Sequence, residues 1–267
     1  MKKRKQNDTL NLNSCSLTIG WLYPQLMSTY GDRGNILVLQ KRCEWRGITA
    51  EIVEIDQTTT EEQIETIDLL FGGGAQDREQ EIVMKDLQKK KQAITNVIEA
   101  NIPSLFVCGA PQLIGKYYEP AEGKRIEGLG IFDMYTKHPG PAQDRLIGNV
   151  VAKINAEFLT SHLPSSIVGF ENHGGRTYLG KTAKPFAKVI KGNGNNGKDG
   201  TEGVIYKNAI GTYLHGPLLP KNPQIADWLI AKALEVKYKK AITLLELDDS
   251  LEEKAREAIY KKLNLNF

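Results

Sequence analysis

The chain has 267 residues, 40% of them apolar, and a formal net charge of +3. This length allows a sizeable core, and so small a net charge gives no reason to expect a nucleic-acid surface. No segment approaches the roughly 18 consecutive apolar residues of a membrane span, and three scattered cysteines do not form a disulfide framework, which favours a reducing, cytoplasmic compartment.

The chain begins with the basic residues Lys2-Lys3-Arg4-Lys5, with no apolar run behind them. We therefore expect residues 1–15 to form a disordered, solvated tail rather than a signal peptide. Neither an internal repeat nor a linker composition follows, so we expect residues 16–267 to form a single domain.

The first half of the chain alternates strand-like and helix-like segments. Asp32 is predicted to cap a helix that stops at Gly47, and a second, long helix is predicted over residues 78–100, with lysines such as Lys90 on its solvated face. Such repeated βα units predict an α/β fold in three layers, with a mostly parallel sheet and helices on both faces. The predicted strands cover residues 17–23, 50–55, 69–71 and 103–107.

Short runs with turn signals replace this pattern between residues 125 and 213. We expect these runs to form antiparallel strands added to the sheet. A helix is then predicted from Pro223, capped by Asn222, to residue 239, and a last charged helix over residues 248–262.

Cys108 is the candidate nucleophile. It follows the apolar run Leu105-Phe106-Val107 and precedes Gly109-Ala110-Pro111-Gln112, which predicts a buried strand, a sharp turn and a helix N-terminus. A helix N-terminus or a paired imidazole lowers the pKa of a thiol, so a cysteine at such a corner can attack an electrophile. Gly72-Gly73-Gly74 also follows a strand, and ligands in parallel sheets bind at these carboxyl ends. The alternative is a cysteine that is only a small buried apolar residue.

The general base should be a histidine that is distant in sequence and near in space. His215 is our candidate, because it follows a strand-like run and precedes Gly216-Pro217, which must end the strand. His173 is its competitor, and His138 and His162 lie in polar turns where we expect them to be solvated. No CxxC pair or histidine cluster indicates a metal site.

Several short stretches, taken together and in order, are more specific than any one of them. They are residues 29–35, Phe71-Gly72-Gly73-Gly74 with Asp77, Glu79 and Gln80 close behind, Cys108-Gly109 with Gln112, residues 125–130, Arg145-Leu146, residues 169–177 and residues 211–217. This ordered set resembles the class I glutamine amidotransferases. Within that class it is most similar to the cobyric-acid-synthase-like branch and to the GatD-type glutaminase subunits of lipid II isoglutaminyl synthase.

The resemblance implies that Cys108 attacks the side-chain amide of glutamine and forms a γ-glutamyl thioester. His215 would accept the thiol proton and return it to the leaving ammonia. Arg145 would hold the carboxylate of glutamine, since an arginine fork binds a carboxylate bidentately; an ordinary surface ion pair is the alternative for this residue. The backbone amides that would bind the oxyanion are those of Gly73, Gly74 and Gly109.

The chain departs from this class at two points. Class I enzymes commonly carry a glutamate two residues after the histidine, and this chain has Pro217 there. The GatD branch shares that absence, and the resemblance implies that a partner subunit supplies an aspartate, which predicts a glutaminase that is slow alone and faster in its complex. The elbow also has Ala110 where relatives usually have a second glycine. A catalytically silent glutamine-binding or scaffold subunit is therefore an alternative.

No nucleotide-binding loop of the GxxxxGK[ST] kind occurs in the sequence, and no cofactor is expected in this chain. The resemblance implies a heterodimer with a Mur-ligase-like, MurT-type partner that binds ATP and Mg and amidates the D-glutamate of lipid II to D-isoglutamine in peptidoglycan synthesis. We expect the chain in the cytoplasm, near the inner face of the membrane through this complex. An amidotransferase subunit of another system, such as corrinoid amidation, is the alternative.

Overall fold

A computed structural model of the chain describes residues 11–140, 142–155 and 165–267. Residues 1–10 of the predicted tail and the candidate His162 lie outside these ranges. Within the rest of the predicted tail, Leu12–Ser14 form a 3-10 turn and Cys15 is buried.

The first half of the chain carries alternating strands and helices. In chain order these are β1 (Ser16–Leu22), α1 (Arg33–Glu44), β2 (Thr49–Ile55), α2 (Glu61–Glu65), β3 (Leu69–Gly72), α3 (Asp77–Leu87), α4 (Lys91–Glu99), β4 (Ser104–Val107) and α5 (Gly109–Ile114).

The second half contains mostly short strands before two closing helices. These elements are β5 (Tyr117–Glu119), β6 (Ile126–Glu127), β7 (Met134–Lys137), β8 (Leu146–Ile154), β9 (Ser166–His173), β10 (Arg176–Leu179), β11 (Ala187–Lys191), β12 (Thr201–Glu202), β13 (Val204–Tyr206), β14 (Ala209–Thr212), α6 (Pro223–Tyr238) and α7 (Ser250–Lys262).

The central sheet has the strand order β13-β14-β4-β3-β1-β2. Its strands run parallel except for β13, which pairs antiparallel with β14. The predicted mostly parallel sheet is confirmed. Of the later strands, β13 and β14 join it, and the others form two further sheets, β10-β7-β5-β6 and β12-β11-β8-β9.

Two apolar cores cover the two faces of the central sheet. Leu69 and Phe71 of β3 belong to the core that contains buried residues of α1 and α6, and Leu70 belongs to the core that contains those of α3 and α4. Successive side chains of a strand point to opposite faces, so a strand buried on both sides is a continuous apolar run. The three-layer arrangement therefore follows from this sequence pattern.

The long helix predicted over residues 78–100 is two helices, α3 and α4, joined by a 3-10 turn at Gln88–Lys90. The prediction that Lys90 lies on a solvated face is wrong. Its side chain is buried and lies 2.5 Å from the carboxylate of Asp86. A buried ammonium needs such a partner, because an unpaired charge is costly to remove from water.

Candidate active site

Cys108 lies at the junction of β4 and α5, at the carboxyl edge of the central sheet. Its backbone has φ 55° and ψ −97°, a conformation that residues other than glycine rarely adopt. Its amide donates to the carbonyl of Thr212, which ends the neighbouring strand β14. The predicted elbow is present, and it presents the thiol beside the strand end that leads to His215.

The turn after Cys108 packs closely against the loop that follows β3. A Cβ atom on Gly109 would lie 2.8 Å from the amide nitrogen of Ala75 and 3.1 Å from its carbonyl oxygen. Since these atoms belong to the backbone, a side chain at Gly109 would force the two loops apart. Glycine at this position lets the Cys108 turn and the glycine loop approach each other.

His215 is fully buried three residues after β14 ends. Its backbone is fixed by a pair of hydrogen bonds with Phe170 of β9, in which the His215 amide donates at 2.8 Å and the Phe170 amide at 3.2 Å. Its imidazole lies close enough to Cys108 for a negative charge on the sulfur to raise the pKa of the ring. The two residues proposed as nucleophile and base from the sequence therefore lie together.

The charges around His215 favour its protonated form. Burial alone lowers the pKa of an imidazole, but the Cys108 thiolate and the Asp32 carboxylate outweigh burial and raise the pKa of His215 to about 10. A negative charge on Cys108 and a positive charge on His215 would therefore stabilise each other.

Asp32 is a site residue that the sequence analysis missed. It stands at the N-cap position of α1, as predicted, but its side chain makes no capping hydrogen bond. One carboxylate oxygen lies 3.2 Å from Nδ1 of His215, and the other accepts a hydrogen bond of 2.7 Å from the amide of Gly74. Both Asp32 and His215 have no exposed surface.

The segment that carries Asp32 also holds the two loops of the site. The amide of Thr29 donates to the carbonyl of Gly74, and the side-chain oxygen of Asn35 accepts from the amide of Leu219. Gly34 packs directly on Pro217, because a Cβ atom there would lie 2.5 Å from Cγ of the proline. Residues 29–35 therefore link the glycine loop after β3 with the loop that carries His215.

The predicted oxyanion donors differ in their surroundings. The amide of Gly74 is already donated to Asp32, so the prediction that it binds an oxyanion is not supported. Gly73 is packed against the carbonyl of Met27 and the side chain of Asp32. The amide of Gly109 lies in the first turn of α5, where helix amides lack intrahelical partners.

A cavity of about 460 Å³ opens beside Cys108. Arg145 lies on its wall and is exposed, with its guanidinium donating to the side-chain oxygen of Asn172 at 2.9 Å and to the Asn172 carbonyl at 2.8 Å. Within the described ranges Arg145 makes no ion pair with a carboxylate, unlike the surface pair weighed as its alternative. The cavity is also lined by Ala75, Gln80, Gln112, His138 and His173.

His173 and His138 are held in the walls of this cavity. The ring of His173 is buried, its Nδ1 lies 2.8 Å from the carbonyl of Gly175, and it stacks on Tyr213 with ring centres 3.9 Å apart. His138 was expected to be solvated, but it is half-buried and lines the cavity, where burial lowers its pKa. These contacts give both rings a role in shaping the cavity.

Among residues 11–140, 142–155 and 165–267, no cluster of His, Cys, Asp or Glu has a geometry suited to a metal ion. None of the helices in these ranges combines the length and apolar character that crossing a bilayer requires.

Residues 18–223 match the family model of the CobB/CobQ-like glutamine amidotransferase domain. A relative in Streptococcus pneumoniae, the glutamine-hydrolysing lipid II isoglutaminyl synthase subunit GatD, is 42% identical over 90% of this chain and 89% of its own length. The GatD subunit of Staphylococcus aureus is 40% identical over 93% of this chain and 96% of its own. The crystal structure of a glutamine amidotransferase superposes with a TM-score of 0.55 at 14% identity, over 80% of this chain and 98% of that one.

Proposed function

The chain belongs to the CobB/CobQ-like glutamine amidotransferase family and is of the GatD type, and from this premise we propose that it hydrolyses glutamine at Cys108 and passes the ammonia to a synthetase subunit. The observation that carries the proposal is the buried contact between Cys108 and His215 at the edge of a cavity. A nucleophile beside its base, next to a space for substrate, is the arrangement that amide cleavage by a cysteine requires.

The reaction begins with the thiolate of Cys108. The sulfur attacks the side-chain carbonyl carbon of glutamine, and the carbonyl oxygen takes up the negative charge of a tetrahedral intermediate. The imidazolium of His215 gives its proton to the amide nitrogen, the C–N bond breaks, and ammonia leaves a γ-glutamyl thioester. His215, now neutral, takes a proton from water, which attacks the thioester and releases glutamate and the thiolate.

The raised pKa of His215 suits this sequence of steps. With the pKa near 10 the imidazole holds a proton at neutral pH while the thiolate is present. It loses that preference when the sulfur becomes part of the thioester, because the negative charge that stabilised the imidazolium is gone. His215 can therefore act as an acid in the first half of the reaction and as a base in the second.

The oxyanion and the substrate carboxylate need separate partners. The amide of Gly109, at the N-terminus of α5, is our candidate donor to the oxyanion, with the Gly73 amide and that of Ala75 as the candidates from the opposing loop. Arg145, held by Asn172 at the cavity wall, is our candidate for the α-carboxylate of glutamine. Its planar fork would fix the orientation of the substrate along the cavity.

The fate of the ammonia is inferred from the kind of protein that this chain resembles. The GatD relatives are named as subunits of lipid II isoglutaminyl synthase. We propose a heterodimer in which a Mur-ligase-like partner uses ATP and Mg to activate the D-glutamate carboxylate of lipid II, which ammonia then amidates. This work would take place in the cytoplasm, at the inner face of the membrane where the lipid-linked substrate is held.

The proposal is tested by glutamate release and by trapping of Cys108. The full chain is incubated with glutamine, alone and with its partner, and separately with a glutamine analogue that carries an electrophile. We expect one covalent adduct, on Cys108, and we expect both the adduct and glutamate release to be absent in Cys108→Ala. Both should be retained in the matched control Cys15→Ala, because the thiol of Cys15 contacts the carbonyl of Asn11 near the start of the chain. An active Cys108→Ala variant, or a wild-type chain that never forms the adduct, would overturn the proposal.

A further inference from the structure

His138 lies beside Arg145 on the wall of the cavity that opens next to Cys108. A Cβ atom built on Gly174 would lie 2.7 Å from Nε2 of His138 and 3.5 Å from Nη1 of Arg145. Because Gly174 carries no side chain, this point is free. The two nitrogens therefore border the same small space at the cavity wall.

Arg145 uses one edge of its guanidinium to hold strand β9. Its Nε donates to the side-chain oxygen of Asn172, and its Nη2 donates to the Asn172 carbonyl. Nη1 forms no hydrogen bond with any residue that the structure describes. Since the edge between Nε and Nη2 is occupied, a carboxylate that binds Arg145 has to use Nη1, which is the nitrogen next to His138.

The surroundings of His138 determine which of its nitrogens carries the proton. Nδ1 lies 3.1 Å from the amide nitrogen of Gly140, and since an amide N–H can only donate, Nδ1 is the acceptor. Burial lowers the pKa of the ring against the opposing charge of Asp77. The positive charges of Arg176 and Arg145 lower this pKa further. The ring is therefore neutral at neutral pH, and its single proton lies on Nε2.

We infer that His138 is a second substrate-binding residue, which holds the α-carboxylate of glutamine together with Arg145, between Nε2–H and Nη1. The inference rests on the proposed function, because it names a further contact to the same substrate. A carboxylate has two oxygens and can accept from both donors at once. Two donors on different side chains fix the plane of the carboxylate, and so the direction in which the side-chain amide of glutamine extends along the cavity.

Gly174 leaves the space that this carboxylate needs. Its φ is not positive, so alanine can adopt its backbone conformation. The methyl group of Gly174→Ala would lie 2.7 Å from Nε2 of His138 and would fill the space between the two donors. This substitution therefore tests the carboxylate site without altering either donor.

The alternative is that His138 only anchors the loop between β7 and β8 through Gly140. Two substitutions separate these roles. In His138→Asn the side-chain oxygen can take the place of Nδ1 and accept from the Gly140 amide, but no donor reaches the position of Nε2. In His138→Gln the longer side chain brings an amide donor to the position of Nε2 and leaves no acceptor at the position of Nδ1.

The test uses the full chain, alone and in complex with its synthetase subunit, and compares two reagents that alkylate Cys108. One is a glutamine analogue that carries both an α-carboxylate and an electrophile. The other is iodoacetamide, which is neutral and has no carboxylate. The analogue concentration that gives half-maximal inactivation, KI, measures recognition, and the iodoacetamide rate measures the reactivity of the sulfur. KM and kcat for glutamine are measured in the same variants.

We expect His138→Asn and Gly174→Ala to raise KI for the analogue about tenfold, at the lower end of what a hydrogen bond to a charged group contributes. Alkylation by iodoacetamide should stay close to the wild-type rate, because the sulfur is untouched. KM for glutamine should rise by a similar factor with little change in kcat, since the contact is made in the ground state and the transition state alike. His138→Gln should keep KI close to that of the wild type.

The outcomes separate this inference from the proposed function. If His138→Asn keeps the wild-type KI, or if His138→Gln alone loses recognition, His138 only anchors the loop and the inference is wrong. If a His138 variant does not fold, Gly174→Ala decides the matter, and an unchanged KI there overturns the inference. If KI rises as expected while neither the wild-type chain nor its complex releases glutamate, the inference about His138 stands and the proposed function falls.

Discussion

The contact between Gly34 and Pro217 predicts that a single methyl group on α1 impairs a reaction at His215. Gly34 lies in the first turn of α1 and has no positive φ, so alanine can adopt its backbone conformation. The new Cβ atom would lie 2.5 Å from Cγ and 3.2 Å from Cβ of Pro217. The proline ring is rigid, and it follows His215 by two residues.

The change in stability that we expect for Gly34→Ala is the sum of two opposing effects. Alanine is favoured over glycine inside a helix by about 1 kcal/mol. The overlap with Pro217 costs about 1–3 kcal/mol, as extra atoms in a packed region do, unless the loop moves. Contacts between carbon atoms are comfortable at about 3.5–4.0 Å, so the loop must shift by roughly 1 Å. A displacement of this size at a catalytic group can lower the rate about 100-fold.

A double-mutant cycle isolates this contact. In the wild type, Gly34→Ala should be neutral or should destabilise the fold by up to about 2 kcal/mol. Pro217→Ala removes the Cγ atom, so in that background Gly34→Ala should be neutral or should stabilise the fold by up to about 1 kcal/mol. The coupling energy, measured by urea unfolding, should be about 1–3 kcal/mol. Glutamate release should fall in Gly34→Ala and recover in part in the double variant.

The same cycle can refute the reasoning. If the two substitutions have additive effects on stability and on turnover, Gly34 and Pro217 do not constrain each other. If Gly34→Ala retains full turnover, the loop that carries His215 is not held by α1.

Three further predictions concern other residues of the site. Burial raises the pKa of Glu202 to about 7, above its ordinary value of 4.5. The folded state therefore gains stability from the protonated form, fully below pH 4.5, and loses it as the pH rises through 7. At pH 8, Glu202→Gln should be more stable than the wild type by about 1–3 kcal/mol in chemical unfolding. Arg145→Lys should raise the KM for glutamine about tenfold with little change in kcat, because it weakens ground-state and transition-state binding alike; a fall in kcat alone would contradict this role. Gly109→Ala should reduce glutamate release at least about 100-fold while Cys108 remains present, because the new methyl group would lie 2.8 Å from the amide nitrogen of Ala75. An active Gly109→Ala variant would mean that the Cys108 turn and the glycine loop after β3 can separate freely.

The nucleophile and its base could be predicted because each carries a local pattern. Cys108 lies between an apolar strand and a helix start, and His215 between an apolar strand and Gly216-Pro217. Parallel strands with helices between them bring such strand ends to one edge, so order along the chain was enough to place both residues near each other.

Asp32 could not be predicted in the same way, because its local pattern has another common meaning. An aspartate before a helix usually caps it, and the sequence offers nothing to distinguish a capping side chain from one that turns towards a histidine 183 residues away. The Gly74 amide was misjudged for the same reason, since its hydrogen bond to Asp32 depends on that long-range contact. Lys90 was placed on a solvated face because a 3-10 turn inside a helical pattern changes which side chains face the core.

The arrangement of acidic groups around one imidazole explains how a reactive thiolate can exist in a buried site. An imidazolium at His215 offsets one negative charge, and the site contains the Cys108 thiolate, the Asp32 carboxylate and Glu202. Burial raises the pKa of Glu202 to about 7, so the carboxyl is mostly neutral only below that pH, where the imidazolium balances two groups rather than three. Asp32 contacts the histidine directly while Glu202 is bonded to Thr212 and Tyr213. A negative charge on Glu202 would hold the His215 proton more tightly and slow its transfer to the amide nitrogen of the substrate, so a neutral Glu202 favours the proposed reaction.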